Sequence, residues 1–166
     1  MPSNNVDNIQ VLYKDGSIAP NQYQPIAEDG VLPTGDVLLK TSELERLTDV
    51  KGKKALLITV NDSPEVEHFP LDQLDAIAIE FAGFADGRGY SFAALLRRQG
   101  FKGELRAVGD VFKDVLNYLK RCGFDSFVLK EGKDVQEAAA GLQDFKVPYQ
   151  SSVAVENSSY QGGNNA

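Results

Sequence analysis

The sequence predicts an α/β domain, and three observations support this prediction. Apolar runs of strand length recur from residue 36 onward, amphipathic segments of helix length separate most of them, and two helix ends resemble each other. Alternating strand and helix units of this length imply parallel strands joined by right-handed crossovers. An open three-layer sheet with helices on both faces and a partial (β/α) barrel both fit, because they differ in strand order, which periodicity does not report.

Length and composition predict one soluble domain. The chain has 166 residues, of which 42% are hydrophobic, a size that usually forms a single sizeable core. Its 17 basic and 24 acidic side chains give a formal net charge of −7, which repels phosphate backbones and anionic membrane surfaces. We therefore expect no nucleic-acid partner and no membrane partner. The first residues lack a basic and an apolar signal region, so we expect a cytoplasmic protein.

The N-terminal region has a different pattern from the rest of the chain. An Asp15-Gly16 step between two short apolar runs predicts a tight β-hairpin, since glycine tolerates the positive φ of such turns. Three prolines between residues 19 and 35 then indicate an irregular connection. The predicted organisation is hairpin and connection at 1–35, α/β domain at 36–150, and a polar tail at 151–166.

Five apolar runs in the α/β region have the length of β-strands. Short apolar runs bounded by turn residues are typical of buried parallel strands. We expect those from Ala55 to Leu129 to lie parallel. The five runs are "VLL" (37–39), "ALLITV" (55–60), "AIAIEF" (76–81), "ELRAV" (104–108) and "FVL" (127–129).

Capping signals predict where the helices begin. Ser42 and Glu45 in "TSELERL" have the spacing of a capping box, in which each side chain satisfies an amide of the first turn. Asp134 and Glu137 have the same spacing at the start of "DVQEAAAGL". Asp110 stands directly before "VFKDVL", so it is expected to be an N-cap as well.

Two predicted helix ends share a local sequence. "LRRQGF" (96–101) and "LKRCGF" (119–124) match at four of six positions and are both basic at a fifth. Cations favour the last turn of a helix, and a following glycine can close the helix in a left-handed conformation. We expect Gly100 and Gly123 to end two helices that each lead into a strand.

Charged and polar side chains lie at or beyond the ends of the predicted strands. In parallel α/β folds, ligands lie beyond the carboxyl ends of the strands, where loops converge and helix amides point outward. The predicted site therefore lies at this edge of the sheet. Its candidates are Asn61, Asp62, Glu80, Asp86, Arg88, Arg106, Asp110 and Lys130.

Glu80 interrupts an otherwise apolar strand. Ala76, Ala78 and Glu80 share one strand face by period-two alternation, so small side chains leave space beside the carboxylate. Arg106 on a neighbouring strand could face Glu80, which makes the two candidates for proton transfer and anion binding. A structural ion pair at adjacent strand ends fits the sequence equally well.

The glycine-rich stretch "DGRGY" (86–90) joins the strand at 76–81 to a helix. Arg88 near helix-start amides would suit an anionic ligand, although a turn followed by a helix entry needs no ligand. The Gly-x-Gly also partly matches the dinucleotide fingerprint, but Phe92 replaces the third small residue. NAD or FAD binding is therefore a weak alternative.

Thiol and metal chemistry have little support in the sequence. Cys122 is the only cysteine, which excludes an internal disulfide and a thiolate-clustered metal site within one chain. We interpret it as a small apolar residue before a helix-ending glycine. His68 has no His or Cys nearby, so no metal site is predicted and no intrinsic redox cofactor is expected.

Four stretches of the chain are distinctive: "FADGRGYS", "GELRAVGDV", "RCGFD" and "DFKVPYQ". With them, the region from about Leu74 to Gln150 resembles a family of bacterial proteins of unknown function that carry the label of oxidoreductases of sulfite reduction. The positions in these signature stretches overlap the strand-end candidates. They are Asp86, Gly87, Arg88, Gly89, Tyr90, Arg106, Gly109, Asp110, Cys122 and Gly123.

The resemblance implies a role in assimilatory sulfite or sulfate reduction, with sulfite reductase or another sulfate-assimilation enzyme as partner. It implies no catalytic residues. Three hypotheses follow: an enzyme or binder of a small anionic or phosphate ligand, a non-catalytic accessory protein, and a dinucleotide-binding oxidoreductase. For the first, the catalytic candidates are Glu80, Asp86 and Arg106, and the ligand-binding candidates are Arg88, Gly87, Gly89, Tyr90 and Asp110.

Overall fold

One eight-stranded sheet organises the part of the chain that the structure describes. The structure is a computed structural model, and it describes residues 9–59, 62, 69–83 and 88–144. The strands are β1 (Gln10–Tyr13), β2 (Ile18–Pro20), β3 (Gln24–Pro25), β4 (Val37–Lys40), β5 (Lys54–Ile58), β6 (Ala76–Phe81), β7 (Glu104–Gly109) and β8 (Ser126–Phe127). Across the sheet their order is β2-β1-β8-β7-β6-β5-β4-β3.

The six strands from β3 to β8 pair parallel with one another. This confirms the prediction for the region from Ala55 to Leu129, and β4 to β8 correspond to the five apolar runs. The hairpin is confirmed as well, since β1 and β2 are antiparallel and Gly16 in the turn has a φ of 91°. β1 also pairs antiparallel with β8, so the hairpin extends the sheet. The expected irregular connection contains one short strand, β3.

The sheet is strongly curled, and the connection between its two edge strands shows why. Seven spacings of about 4.8 Å would separate the edges of a flat eight-stranded sheet by roughly 34 Å. The edge strands β2 and β3 are instead joined by the segment from Pro20 to Gln24, and four extended residues reach at most about 14 Å. The two edges must therefore approach each other, which gives a half-barrel with an inner and an outer face.

The described helices all pack on the outer face of the half-barrel. They are α1 (Arg88–Arg98), α2 (Leu116–Arg121), α3 (Val135–Asp144) and three 3₁₀ segments, Thr41–Asp49, Leu71–Gln73 and Lys113–Val115. Of the two architectures that fit the sequence, the described residues form the partial barrel, and helices on both faces are not seen among them. The main core lies between helices and sheet, and it includes Leu39, Leu47, Leu56, Ile58, Ile77, Ile79, Phe92, Leu96, Leu105, Leu116, Leu119, Phe127 and Leu142.

The shared sequence of the two helix ends encodes the same backbone motif twice. In α1, the amide of Phe101 donates to the carbonyl of Leu96 (3.0 Å) and the amide of Gly100 to Arg97 (3.1 Å). After α2, the amide of Phe124 donates to Leu119 (3.1 Å) in the same way. These are Schellman closures, in which glycine adopts a positive φ, 98° and 108° here, and the flanking leucine and phenylalanine of each are buried in the main core. The prediction for both glycines is confirmed.

Only one of the three predicted N-caps is found where the sequence placed it. Asp134 caps α3, because its carboxylate accepts from the amides of Gln136 (2.9 Å) and Glu137 (3.2 Å). The first 3₁₀ segment begins earlier than Ser42, and the amide of Lys40 donates to Glu43 (2.9 Å) instead. The N-cap prediction for Asp110 was wrong, since regular helix starts only after residue 112.

Aspartates bind the amino ends of neighbouring strands. Each aspartate stands directly before one strand. Its carboxylate accepts a hydrogen bond from a backbone N–H in the adjacent strand, or from the residue just before that strand. The pairs are Asp36 with Lys53 (2.8 Å), Asp75 with Lys54 (2.9 Å) and Asp125 with Leu105 (3.0 Å). Aspartate side chains thus connect neighbouring strands along the amino-end rim of the sheet.

Asp125 carries further contacts that join the hairpin to the ends of the two helices. Its carboxylate lies 3.0 Å from the Lys14 ammonium and 2.7 Å from the Arg97 guanidinium, and Arg97 also donates to the carbonyls of Phe101 and Gly123. Partial burial raises the pKa of Asp125, but the Leu105 amide and the Lys14 and Arg97 charges outweigh it. The pKa of this carboxyl is therefore lowered from its ordinary value.

Candidate functional site

The inner face of the half-barrel contains a partly open cavity of about 220 Å³. Its floor is made by three alanines, Ala55 on β5 and Ala76 and Ala78 on β6, which are adjacent in the sheet register. The walls include Tyr23, which precedes the edge strand β3, and Val128, which follows β8. Small side chains at the centre of a curled sheet leave room that larger ones would fill. The cavity therefore follows directly from residue choice on β5 and β6.

Glu80 lies at the carboxyl end of β6, on the same face as Ala76 and Ala78, and all three line the cavity. Its register partner on β7 is Val108. The side chain is half-buried. Among the residues that the structure describes, its carboxylate has no hydrogen-bond or ion-pair partner. Glu80 is thus a carboxylate at the rim of an otherwise largely apolar cavity.

Arg106 also lines the cavity, but it is engaged by other side chains. The residue is 5% exposed and lies opposite Ala78 in the sheet register, one pair before Glu80 on that face. Its guanidinium donates to Glu104 through Nε (3.0 Å) and NH2 (2.8 Å), and to Asn21 through NH1 (3.0 Å). The expected partner was Glu80, whereas the ion pair that is present joins Arg106 to Glu104.

The pair of Arg106 and Glu104 belongs to a wider buried network. Nε of Arg106 also donates to the fully buried hydroxyl of Ser126 (3.1 Å), which in turn donates to Glu104. The ring of Tyr23 lies against the guanidinium, with its centroid 5.5 Å away. Burial and, secondarily, the charge of Glu104 raise the pKa of Tyr23 to about 12. Tyr23 therefore stays neutral throughout the physiological range.

The other members of this network were missed by the sequence predictions. One signal was available, since Glu104 and Arg106 are two residues apart on a strand and must share a face. Asn21 and Tyr23 lie in the predicted irregular connection, where no periodicity marks them. They reach Arg106 only because the sheet curls, which brings the connection over the inner face.

Two residues of the glycine-rich stretch serve the packing of α1 on β6. A Cβ on Gly89 would overlap the ring of Phe81, so glycine allows the helix to approach the strand. Tyr90 packs edge-on against Phe81, with ring centroids 5.0 Å apart, and burial raises the pKa of Tyr90. Neither residue lines the cavity. Asp86 and Gly87 lie outside the described residues, and so does the side chain of Arg88, the first residue of α1.

Asp110 lies beyond β7 and not in the cavity. Gly109 before it has a φ of 92°, and the amide of Asp110 donates to the carbonyl of Phe81 (2.9 Å). The Asp110 carboxylate lies 3.5 Å from the ammonium of Lys130, another strand-end candidate. These contacts join the carboxyl ends of β6, β7 and β8.

Asp62 joins the carboxyl ends of β4 and β5. Its carboxylate accepts from the hydroxyl of Thr41 (2.6 Å) and from the amide of Thr59 (2.6 Å). Asn61, the neighbouring candidate, lies outside the described residues. Asp62 thus shapes the rim on the side of the sheet away from Arg106.

Metal-binding and membrane-spanning features are absent from the part of the chain that the structure describes. Within it, no group of three or more His, Cys, Asp or Glu side chains could hold a metal ion. The described helices include none that is long and apolar enough to cross a membrane. Cys122 is half-buried at the Schellman closure after α2, and His68 lies outside the described residues.

The comparison with protein families gives a clear result. A family model described as "Bacterial protein of unknown function (DUF934)" matches residues 55–160, which is more than half of the chain. The chain belongs to this family. The DUF934 match includes the three alanines, Glu80 and Arg106, whereas Asn21 and Tyr23 precede it. No curated protein matches the chain.

Proposed function

We propose that this DUF934 protein is an accessory protein of sulfite or sulfate reduction that binds a small molecule in the cavity of its half-barrel. The cavity itself is the observation that carries the binding part of the proposal. Ligand sites in barrel folds lie toward the carboxyl ends of the strands, and Glu80 and Val108 stand at that end of this cavity.

The energetic cost of the cavity supports a binding role. Empty space in a closed core costs roughly 24 cal/mol per Å³, so about 5 kcal/mol is the upper bound for this partly open cavity. Replacement of Ala78 by a larger aliphatic residue would recover part of this. A ligand that fills the space would supply the van der Waals contacts that the cavity walls lack. A binding role would therefore explain why three adjacent positions are alanine.

The size of the cavity restricts the ligand. Pockets for drug-sized molecules usually measure about 300–1,000 Å³. A volume of about 220 Å³ is below this range, so a molecule as large as NAD or FAD would not be enclosed. This supports a small ligand over the dinucleotide alternative.

The link with sulfite reduction rests on the family resemblance of the sequence. The single cysteine excludes an internal dithiol cycle, so electron transfer by this chain alone has little support. An accessory role is therefore the form of the proposal that the residues support best. Its partner would be sulfite reductase or another enzyme of sulfate assimilation.

A cavity-filling variant tests both parts of the proposal. Ala78→Leu places three additional carbons in the cavity, and Ala140→Leu, at an exposed position of α3, is the matched control. Thermal shifts are measured with sulfite, sulfate, adenylylated sulfate, nicotinamide and flavin nucleotides, and small organic amines, alcohols and acids. We expect a compound to raise the melting temperature of wild type and Ala140→Leu, but not of Ala78→Leu.

Growth tests the pathway. Cells in which Ala78→Leu replaces the wild-type chain should grow on cysteine but poorly on sulfate as the only sulfur source. Equal thermal shifts in all three proteins would overturn the binding site. Normal growth of the Ala78→Leu cells on sulfate would overturn the pathway role.

A further inference from the structure

We infer that the ligand of this cavity has a small apolar body and a positively charged amine, and that the amine pairs with Glu80. The inference rests on the proposed binding function and adds the chemical class of the ligand. It follows from the charges that line the cavity, from the nature of its walls, and from the position of Glu80.

The charge argument starts from Arg106, the most buried cation of the inner face. Two of its nitrogens donate to Glu104, and a third donates to the Asn21 side chain. The positive charge is therefore balanced inside the protein. An anionic ligand would have to compete with Glu104 at 2.8 Å for the same guanidinium.

Glu80 is left as the uncompensated charge among the described residues of the cavity lining. A carboxylate accepts hydrogen bonds and does not donate them when it is ionised. A ligand group that carries positive charge and N–H donors is its natural partner. The excess of acidic side chains in the chain, with a net charge of −7, adds a field that attracts cations and repels anions.

The walls of the cavity specify the rest of the ligand. Apart from Asn21, Tyr23, Glu80 and Arg106, the described residues that line the cavity are all apolar. An apolar cavity of about 150 Å³ is large enough to bind benzene, so about 220 Å³ holds one ring or a short branched chain with a small substituent. Burial of this body would provide most of the binding free energy.

The position of Glu80 fixes the orientation of the ligand. It stands two residues beyond Ala78 along β6, a separation of about 7 Å at the rise of a β-strand. A body that rests on the alanines can therefore place an amine at the carboxylate. The charged end then lies at the carboxyl-end rim, where Glu80 is half-buried and retains some contact with water.

The test compares three probes of nearly equal shape: benzylamine, benzyl alcohol and benzoate. Their dissociation constants are measured at neutral pH by calorimetry with wild type, Glu80→Gln and Ala78→Leu. Glu45→Gln, on an exposed position of the outer 3₁₀ segment, controls for the loss of one negative charge. Sulfite is included as an anionic probe, because the sequence also predicted a site for a small anionic ligand.

We expect benzylamine to bind wild type and Glu45→Gln at least about tenfold more tightly than benzyl alcohol, because hydrogen bonds to charged groups contribute that much in affinity. Glu80→Gln should remove this preference without loss of fold. Ala78→Leu should abolish binding of all three probes.

The failure of this inference differs from the failure of the proposed function. Benzyl alcohol or benzoate could bind as tightly as benzylamine and lose this binding in Ala78→Leu. That result would overturn the inference of an amine ligand, while the cavity would still be a binding site. Unchanged benzylamine affinity in Glu80→Gln would do the same. Absence of any binding that depends on Ala78 would overturn both.

Discussion

The two faces of the same sheet are built on opposite principles. On β6, Ile77 and Ile79 point to the outer face and are fully buried under helices, whereas Ala76, Ala78 and Glu80 point to the inner face and line a cavity. Period-two alternation gives each strand both sets of residues. The outer face has the composition of a packed core, while the inner face has the composition of a binding site.

The difference extends to the polar groups of the two faces. The strand residues of the outer core are apolar, and the helices cover them. The inner face contains a buried arginine, its carboxylate partner and a buried hydroxyl, arranged beside apolar space. Buried polar groups need complete hydrogen bonding, so a fold keeps them at a cost in free energy. The outer face thus has the features of a stable packed core, and the inner face is the one on which we propose the binding site.

Two adjacent leucines on β5 give the largest expected difference in stability between the two faces. Leu56 is fully buried on the outer face, and Leu57 is half-buried beside the cavity. Leu56→Ala should lower the free energy of unfolding by about 2–5 kcal/mol, because it leaves a void in packed core. Leu57→Ala only enlarges existing space and should cost less than about 1.5 kcal/mol. Urea denaturation measures both, and equal costs would remove the distinction between the faces.

Arg106 provides the second test. Arg106→Met should lower the free energy of unfolding by about 2–4 kcal/mol, since it leaves the Glu104 carboxylate without its cationic partner and removes the guanidinium donor from the Asn21 side-chain oxygen. The exposed Arg98→Met is the control and should change stability by less than about 0.5 kcal/mol.

The double variant Arg106→Met with Glu104→Gln sharpens the second test. Removal of both charges should restore part of the loss, because position 104 no longer carries a charge that lacks its cationic partner. If the single and double variants are equally unstable in urea, the ion pair contributes nothing specific.

Asp125 provides the smallest effect, at the amino-end rim and outside the cavity. Its folded-state pKa is lowered, so its contribution to stability is present above the unfolded value near 4 and is lost as pH falls through the folded value. Asp125→Asn should cost about 1–2 kcal/mol at pH 7 and flatten the loss of stability toward acid pH.

A matched variant separates this effect from a general loss of charge. Asp114→Asn, at an exposed position, should keep the acid-dependent loss of stability, as followed by urea denaturation at several pH values. Ligand binding at neutral pH should be the same in both variants. If Asp125→Asn loses stability toward acid pH as steeply as wild type does, the contacts of this carboxylate do not stabilise the fold.

Much of the fold could be predicted from local sequence. The strands, the hairpin turn and the two helix ends depend on apolar periodicity and on glycines at positive φ, and Gly16, Gly100 and Gly123 are found in that conformation. Asp134 caps its helix as predicted because an N-cap needs only the next two or three amides. Interactions between residues that are close in the chain can be predicted from the local sequence alone.

The rest depends on contacts between distant segments. The curl of the sheet follows from the edge-to-edge connection, and it brings Asn21 within 3.0 Å of Arg106, 85 positions later in the chain. Arg106 pairs with Glu104 on its own strand. The alternation of side chains along a strand places the two on one face, but it does not determine that they form an ion pair. Asp110 does not cap the helix predicted after it, because regular helix begins only after residue 112, and its carboxylate lies 3.5 Å from the ammonium of Lys130, a contact that no local pattern reports.

The most direct measurement follows alanine methyl groups on the two faces during a ligand titration. Ala55, Ala76 and Ala78 line the cavity, while Ala93, Ala107 and Ala139 are buried in the outer core. With ¹³C-methyl-labelled protein, each of the benzyl probes is added and the six resonances are recorded. We expect at least one probe to shift the three inner methyl resonances in a saturable manner and to leave the outer three in place. Saturable shifts confined to the outer methyl groups, or no saturable shift with any probe, would contradict a binding site on the inner face.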